Sequence, residues 1–543
     1  MRVGTIVRVP LQGRRVRGWV VEDDVVPDVD ARLLPLAGVV SNGPPAAVVA
    51  LSAWIAHRWC GPRVAVLRSA SPANNVPVPE LALETRAQGA SVTPVTADVE
   101  VRRVPPLHDR RAEVEAMLAP EGSTIVCVAD GARARSLART LAANGWRVAV
   151  LHSDESDAAR TAAWHTASAG DCVVVGGRIA ALAPVPDLAA AIVVDDADEA
   201  LQEERVPTWH ARDVLLERAA GAGARWSVVS AAPTIEAEAT VGFAPRAPAP
   251  DVEAAGWPRV IVVDRREQPP GARLLSEPLA AALRSTDGLA VCVLNRRGRF
   301  RLLVCDACHE LLRWERPGER PMVCPACGAT RLRVIRAGVT RLREELEVLV
   351  PGKWVIDVDA QTDDTPVTAD IVVGTEAVLH RSDVRRRRPA LVAYLDFDQE
   401  LLAPRYRAAT QALWLLVRGA QLLTARPRRE TRLLLQTRVP DHEVVRAVAQ
   451  GRPEIVTEGE IVRRRALGYP PFGALAELTG EDAPLRAAVA ALPMLGVRAL
   501  GPSDGRVLVH ASAWEVLAEA LHDALPAARA EGRIRTVVDP QRV

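Results

Sequence analysis

Residues 124–151, TIVCVADGARARSLARTLAANGWRVAVL, hold one strand–helix–strand unit. The opening TIVCV is apolar and largely β-branched, which suits a strand covered on both faces. Residues 132–143 follow with Leu137 and Leu141 on one helical face, Gly145 supplies the stop, and residues 148–151 form the next strand. Short apolar runs recur at 172–175, 192–194 and 228–229. Strands alternating with helices predict a parallel sheet wrapped by helices. A second set follows Trp257, at 260–263, 289–294, 354–358, 371–373, 391–395 and 433–436. The fold class is therefore α/β, with two lobes.

Around these lobes the pattern changes. At the N-terminus, TIVRVPLQGRRVRGWVVE (5–22) reads as two strands, 5–9 and 18–22, joined by the basic turn Gln12-Gly13-Arg14-Arg15. Residues 76–110 are rich in Pro, Val and Thr without periodicity and read as a linker. The domain plan is a small N-terminal β domain (1–75), the linker, a first lobe (111–250), a second lobe (251–468) interrupted at 299–335, and an α+β tail (469–543).

The 543 residues are ample for several cores. With 68 Lys+Arg against 67 Asp+Glu, the chain lacks the overall basic charge of a non-specific nucleic-acid coat, so any DNA site is local. No run reaches the roughly 18 apolar residues that cross a bilayer, and residues 1–15 have no signal-peptide core. A cytoplasmic protein without membrane partners is expected. Lys353 is the only lysine, and no Ser or Thr follows it. A Walker A loop needs a lysine for the β/γ-phosphates and an adjacent hydroxyl for Mg²⁺, so no such loop is present.

Cys60, Cys127, Cys172 and Cys292 stand alone in apolar surroundings and read as small buried hydrophobes. The other four cysteines form Cys305-Asp-Ala-Cys308 and Cys324-Pro-Ala-Cys327, with fifteen residues between the pairs. This spacing reads as a tetrathiolate zinc site, because each short turn presents two thiolates on one side. Gly328 suits the turn after the second pair. Four thiolates leave no open position, so one structural ion is expected.

Several strings then occur in a fixed order. Asn295-Arg-Arg297-Gly298 precedes the first cysteine pair, Gly338-Val-Thr-Arg341 follows the second, and Arg465-Ala-Leu-Gly-Tyr469-Pro470-Pro471-Phe472 lies near the end. Arg178-Ile-Ala180, Trp209-His210-Ala211-Arg212-Asp213, Ser230-Ala-Ala-Pro233, Ile371-Val-Val-Gly374-Thr375 and Gln436-Thr437 stand between them. Over about residues 3 to 480 this set resembles the PriA family of primosomal superfamily 2 helicases. The resemblance implies two RecA-like helicase lobes with a zinc-binding insertion. It also implies an N-terminal domain that reads the 3′ end of a nascent strand, although the chain begins at what would be that domain's second strand. The implied partners are forked or single-stranded DNA, single-strand binding protein, and the replicative helicase with its loader.

Departures from the family pattern define the expected function. The first lobe should open with a P-loop, but residues 104–123 contain none. The family's Asp-Glu-x-His box corresponds to Asp195-Asp196-Ala197-Asp198, and its phosphate-stabilising arginines to Leu422 and Ala425. Where the family has four CxxC knuckles holding two ions, this chain has two. The expectation is a non-catalytic replication restart protein that binds stalled or abandoned forks and promotes primosome assembly, with ATP and Mg²⁺ not used. The alternatives are a residual ATP-dependent 3′-5′ helicase, and a zinc-ribbon nucleic-acid adaptor without fork preference. Candidate DNA contacts are Arg14, Arg15, Arg17, Arg178, Arg297, Arg385 and Arg386. His210 reads as a packed or hydrogen-bonded histidine, and Asp195 and Asp196 read as carboxylates solvated at a strand end or as Mg²⁺ ligands.

Overall fold

A computed structural model describes residues 1–26, 35–77, 98–268, 274–294, 301–305, 307–308, 310–314, 323–330, 332–335, 339–358, 368–424, 426–493 and 495–543. They fall into two compact units, one comprising 1–104, 109–247 and 459–543, the other 105–108 and 248–458.

The first unit begins with the antiparallel strands β1 (Ile6–Leu11), β2 (Arg14–Trp19) and β3 (Gly38–Ser41), in the order β2-β1-β3. The turn is tighter than the sequence reading placed it. Gln12 and Gly13 alone make it, with φ of +48° and +75°, so Arg14 and Arg15 belong to β2. Two successive left-handed residues match the twist of a hairpin, and a glycine takes the second place without a Cβ clash.

The first lobe is a six-stranded parallel sheet of β4 (Val99–Arg103), β5 (Ser123–Val128), β6 (Val148–Leu151), β7 (Val173–Gly176), β8 (Leu188–Val194) and β9 (Arg225–Ser230). Its order is β4-β9-β8-β5-β7-β6. The central strands are buried on both faces, as their unbroken Val and Ile runs require. Residues 99–103, read as linker, are in fact the edge strand β4. Its one partner strand is β9, with a single bridge from Arg102 to Arg246 on the other side, so it mixes charged and apolar residues and lacks the signature of a buried strand.

Residues 474–538 of the same unit form an antiparallel sheet that carries two helices, Asp482–Ala491 and Trp514–Glu531. One apolar core joins all three parts. Val48 and Ile55 of the helix Ala46–Arg58, and Trp59 that caps it, pack with Cys127 and Trp209 of the lobe and with Leu517 and Leu521 of the tail. Thr208 also donates to the Val538 carbonyl at 2.9 Å. The isolated cysteines Cys60, Cys127, Cys172 and Cys292 are all buried, and desolvation pushes the Cys127 thiol up to about 12.

The second unit repeats the parallel design with β10 (Arg259–Asp264), β11 (Ala290–Val293), β15 (Val355–Val358), β16 (Ile371–Gly374), β17 (Leu391–Tyr394) and β18 (Arg432–Thr437), ordered β10-β18-β17-β11-β16-β15. Between β11 and β15 the chain inserts a separate antiparallel sheet of β12 (Arg301–Cys305), β13 (Leu311–Trp314) and β14 (Leu332–Ile335). That insertion carries the paired cysteines. No described helix is long and apolar enough to cross a membrane.

Candidate nucleic-acid interface and metal centre

Alternation along the hairpin sorts its arginines. Opposed residues of an antiparallel pair project to the same face, and so do residues two apart. Arg8 lies directly across from Arg17, Pro10 from Arg15, and Leu11 from Arg14. Arg8, Arg15 and Arg17 therefore share one face, and Arg14 takes the other. All four are exposed, and among the described residues none has a carboxylate partner. Trp19 ends the same row, its ring centroid 5.9 Å from the Arg17 guanidinium carbon. Arg17 also reaches Asn75 Oδ1 at 3.5 Å.

Like charges directly opposed across two strands destabilise the pair. An anion placed between Arg8 and Arg17 removes that repulsion, and a row of guanidinium groups beside an indole suits a sugar–phosphate backbone. Sequence reasoning missed Arg8. With the turn assigned to Gln12-Gly13, the register itself would have put it opposite Arg17.

The other predicted DNA contacts differ. Arg178 opens the short 3-10 helix after β7 and is engaged internally. Its Nε is 3.2 Å from Glu203 Oε2, and its Nη1 donates to the Ala200 carbonyl at 3.1 Å. In the second unit, Arg385 and Arg386 end the helix Ser382–Arg386. Arg386 is exposed and donates to Ser382 Oγ at 3.2 Å, while Arg385 is half-buried. Cationic side chains at a helix C-terminus already have a structural role there. Arg297 and Ala425 lie outside the described residues.

The four cysteines converge. Their sulfurs all lie within 4.8 Å of one another, with Cys305 to Cys327 at 3.5 Å and Cys308 to Cys324 at 3.6 Å. A tetrahedral ion with metal–sulfur bonds of about 2.3 Å requires sulfur separations near 3.8 Å, so the cluster fits a divalent metal with small adjustment. Cys305 and Cys324 are buried, and Cys308 and Cys327 exposed. Backbone N–H groups of Cys308 and Ala307 point at the Cys305 sulfur and hold its thiol down to about 7. The N–H groups of Glu310 and Ala329 also point at the Cys308 and Cys327 sulfurs, but the neighbouring cysteine sulfurs and burial outweigh them and push both thiols up. Such donors orient thiolate ligands and offset their charge. Gly328 takes φ of +72° and donates its N–H to the Cys324 carbonyl at 2.8 Å, closing the second knuckle.

At the end of β8 the carboxylates are not solvated. Asp195, at φ +55°, is buried and meets Arg110 Nε at 3.3 Å and Arg133 Nη1 at 3.5 Å. Asp196 is fully buried, accepts from Thr234 Oγ1 at 2.5 Å, and lies 3.7 Å from Arg212 Nη1. Desolvation lifts its carboxyl to about 6, against the opposing pull of Arg212 and Thr234. Asp198 caps a short 3-10 helix. His210, as expected, is structural: it is buried and its Nδ1 accepts the Arg212 N–H at 3.1 Å to cap the helix Ala211–Ala222.

Comparison with known proteins bears on these sites. Residues 1–72 match the family model of the 3′ DNA-binding domain, so the hairpin lies inside that match. The chain is 28% identical to the probable replication restart protein PriA of Mycobacterium tuberculosis, across 92% of this chain and 86% of that one. It is 26% identical to the replication restart protein PriA of Bacillus subtilis, across 62% of this chain but only 46% of the relative. With the protein of the same name from Treponema pallidum the identity is 29%, across 60% of this chain and 55% of the other. Among solved structures, RecG bound to a three-way DNA junction aligns with a TM-score of 0.38 and 13% identity, over 67% of this chain and 43% of that one.

Proposed function

We propose, from its similarity to the replication restart proteins PriA, that this chain binds stalled or abandoned replication forks and promotes primosome assembly and reloading of the replicative helicase, without unwinding DNA by ATP hydrolysis. The carrying observation is the basic face of the N-terminal hairpin. Arg8, Arg15 and Arg17 are held in one exposed row inside the segment that matches a 3′ DNA-binding domain. Contacts of this type go to phosphates, so affinity falls steeply with salt.

Two features support a protein without a motor. The lone lysine stands in Pro351-Gly352-Lys353-Trp354, outside any phosphate loop. At the strand end where the family's acidic box falls, Asp195 is ion-paired to Arg110 and Arg133, so those guanidinium groups hold the carboxylate that would otherwise face a cation. The cysteine cluster would hold one zinc ion, bound by Cys305, Cys308, Cys324 and Cys327. Zinc there supplies cross-links between the two knuckles and takes no part in chemistry. The partners are forked and single-stranded DNA, single-strand binding protein, and the replicative helicase with its loader.

The test is a competition titration at fixed, near-physiological salt. It compares a fork carrying a leading-strand 3′ end with linear duplex and with single-stranded DNA. A preference of about tenfold for the fork, about 1.4 kcal/mol, supports fork recognition. Equal affinities return the chain to a zinc-ribbon adaptor. DNA-stimulated phosphate release above that of zinc-stripped protein restores the helicase reading.

A further inference from the structure

The hairpin leaves a second surface of the same unit unused. The helix Glu454–Leu467 presents Arg465 on its last turn, exposed to solvent. The guanidinium carbon lies 4.8 Å from the ring centroid of Phe472 and 6.0 Å from that of Phe243. The two phenyl rings stack, with centroids 5.4 Å and planes 23° apart. The arginines beside it are committed: Arg463 pairs with Glu460 at 2.7 Å, and Arg464 is buried against Glu460 and Glu236. Among the described residues, Arg465 has no carboxylate partner.

The backbone holds the rings in place. After the helix Ile235–Thr240, Gly242 and Phe243 both take left-handed φ, +63° and +62°. That region is one a phenylalanine seldom occupies, and residues held there cluster at functional positions. The Phe243 N–H is anchored on the Glu238 carbonyl at 2.8 Å. Phe472 closes a turn by donating to the Tyr469 carbonyl at 2.9 Å, and Tyr469 donates to Arg464 at 2.9 Å. Both rings stay half-buried, and Val462 and Leu467 near Arg465 are 69% and 63% exposed.

Aromatic faces with an adjoining unpaired guanidinium suit an unpaired nucleotide, because the rings take the base and the N–H edge takes the phosphate. We propose that Arg465, Phe472 and Phe243 form a stacking platform for an unpaired DNA strand. The proposal rests on the DNA-binding reading above and adds to it a site that selects single strands. A closed duplex offers phosphates but no free base face, so the platform is silent toward it.

The experiment is a fluorescence-anisotropy titration of the full chain against labelled oligothymidine, the fork and a blunt duplex, at one salt concentration. Arg465→Glu and Phe243→Leu are made separately, and thermal unfolding is followed for each. Each substitution is expected to weaken oligothymidine binding about tenfold, to leave duplex affinity within about twofold, and to keep the unfolding temperature. Arg465→Lys keeps the charge without the planar stack and recovers only part of the loss. Unchanged oligothymidine binding in both variants, with wild-type fork binding intact, overturns the platform alone; a protein partner on this surface would give that result. Equal losses on duplex and single strand also overturn it. A wild-type chain that binds no DNA removes the fork reading and the platform together.

Discussion

The hairpin face and the end of β8 hold the same kinds of charge in opposite circumstances. On the hairpin, Arg8 and Arg17 face each other across two strands, and among the described residues neither has an ion-pair partner. In the lobe, Arg110 and Arg133 share Asp195, and Arg212 bridges Asp213 and Asp196. Exposed like charges held together raise the energy of the free protein and fall in energy when an anion arrives. Buried opposite charges are already matched, and an incoming ion would first have to break them. The difference separates a surface arranged for a ligand from one whose charges serve the fold. The largest effect should come from breaking the matched cluster. Asp195→Ala strands two guanidinium groups against each other, so it should lower stability by about 3 kcal/mol while fork affinity stays constant. Thermal unfolding and anisotropy on the same preparation check both halves, and an unchanged unfolding temperature would show that the pairing is idle.

How far the sequence reveals this contrast depends on how local each feature is. The central strands are legible because their Val and Ile runs are the burial itself. The cysteine site is legible because its spacing is its geometry, down to the left-handed Gly328. The edge strand at 99–103 is not, since one neighbour and mixed exposure leave it no apolar run. The hairpin register is less legible, because a turn through Gln12 to Arg15 reads as well as the Gln12-Gly13 turn of the fold, and the place of Arg8 depends on which is taken. Arg110 and Arg133 carry no sign that they will meet Asp195, because only the folded lobe brings them to one strand end. Phe243 and Phe472 stack for the same reason.

The unmatched side yields the next effect. Replacing Arg8 and Arg17 together by glutamine should weaken fork binding about thirtyfold, about 2 kcal/mol, and flatten the log–log salt dependence by about 2. Folding stability should hold or rise slightly, since the opposed cations are gone. A loss of binding that tracks a loss of stability would erase the distinction from Asp195→Ala.

Asp196 sharpens the comparison through pH. Its folded-state value, about 6, lies above the ordinary 3.8, so the folded chain favours the neutral acid. The associated stability is fully present below about pH 4 and is lost as pH rises through about 6. Asp196→Asn mimics the neutral acid, so it should stabilise the chain by about 1 to 2 kcal/mol at pH 7.5 and by almost nothing near pH 3.5. Unfolding curves at the two pH values decide it. An equal loss of stability at both would mean that Arg212 needs the Asp196 charge more than burial opposes it.

The smallest effect tests whether pairing predicts function at all. The sequence offers Arg178 as a DNA contact beside the hairpin arginines, yet Glu203 and the Ala200 carbonyl use its donors. Removing it exposes no ligand site, and a half-exposed ion pair contributes little. Arg178→Ala should therefore move fork affinity by less than about 0.5 kcal/mol and stability by at most about 1 kcal/mol. Arg15→Ala, on the open row, should cost about 1 kcal/mol of fork binding with no change in stability. If Arg178→Ala loses as much binding as Arg15→Ala, DNA displaces Glu203 on arrival. The matched and unmatched arginines would then differ only in the free protein, and the hairpin would share its phosphate contacts with the first lobe.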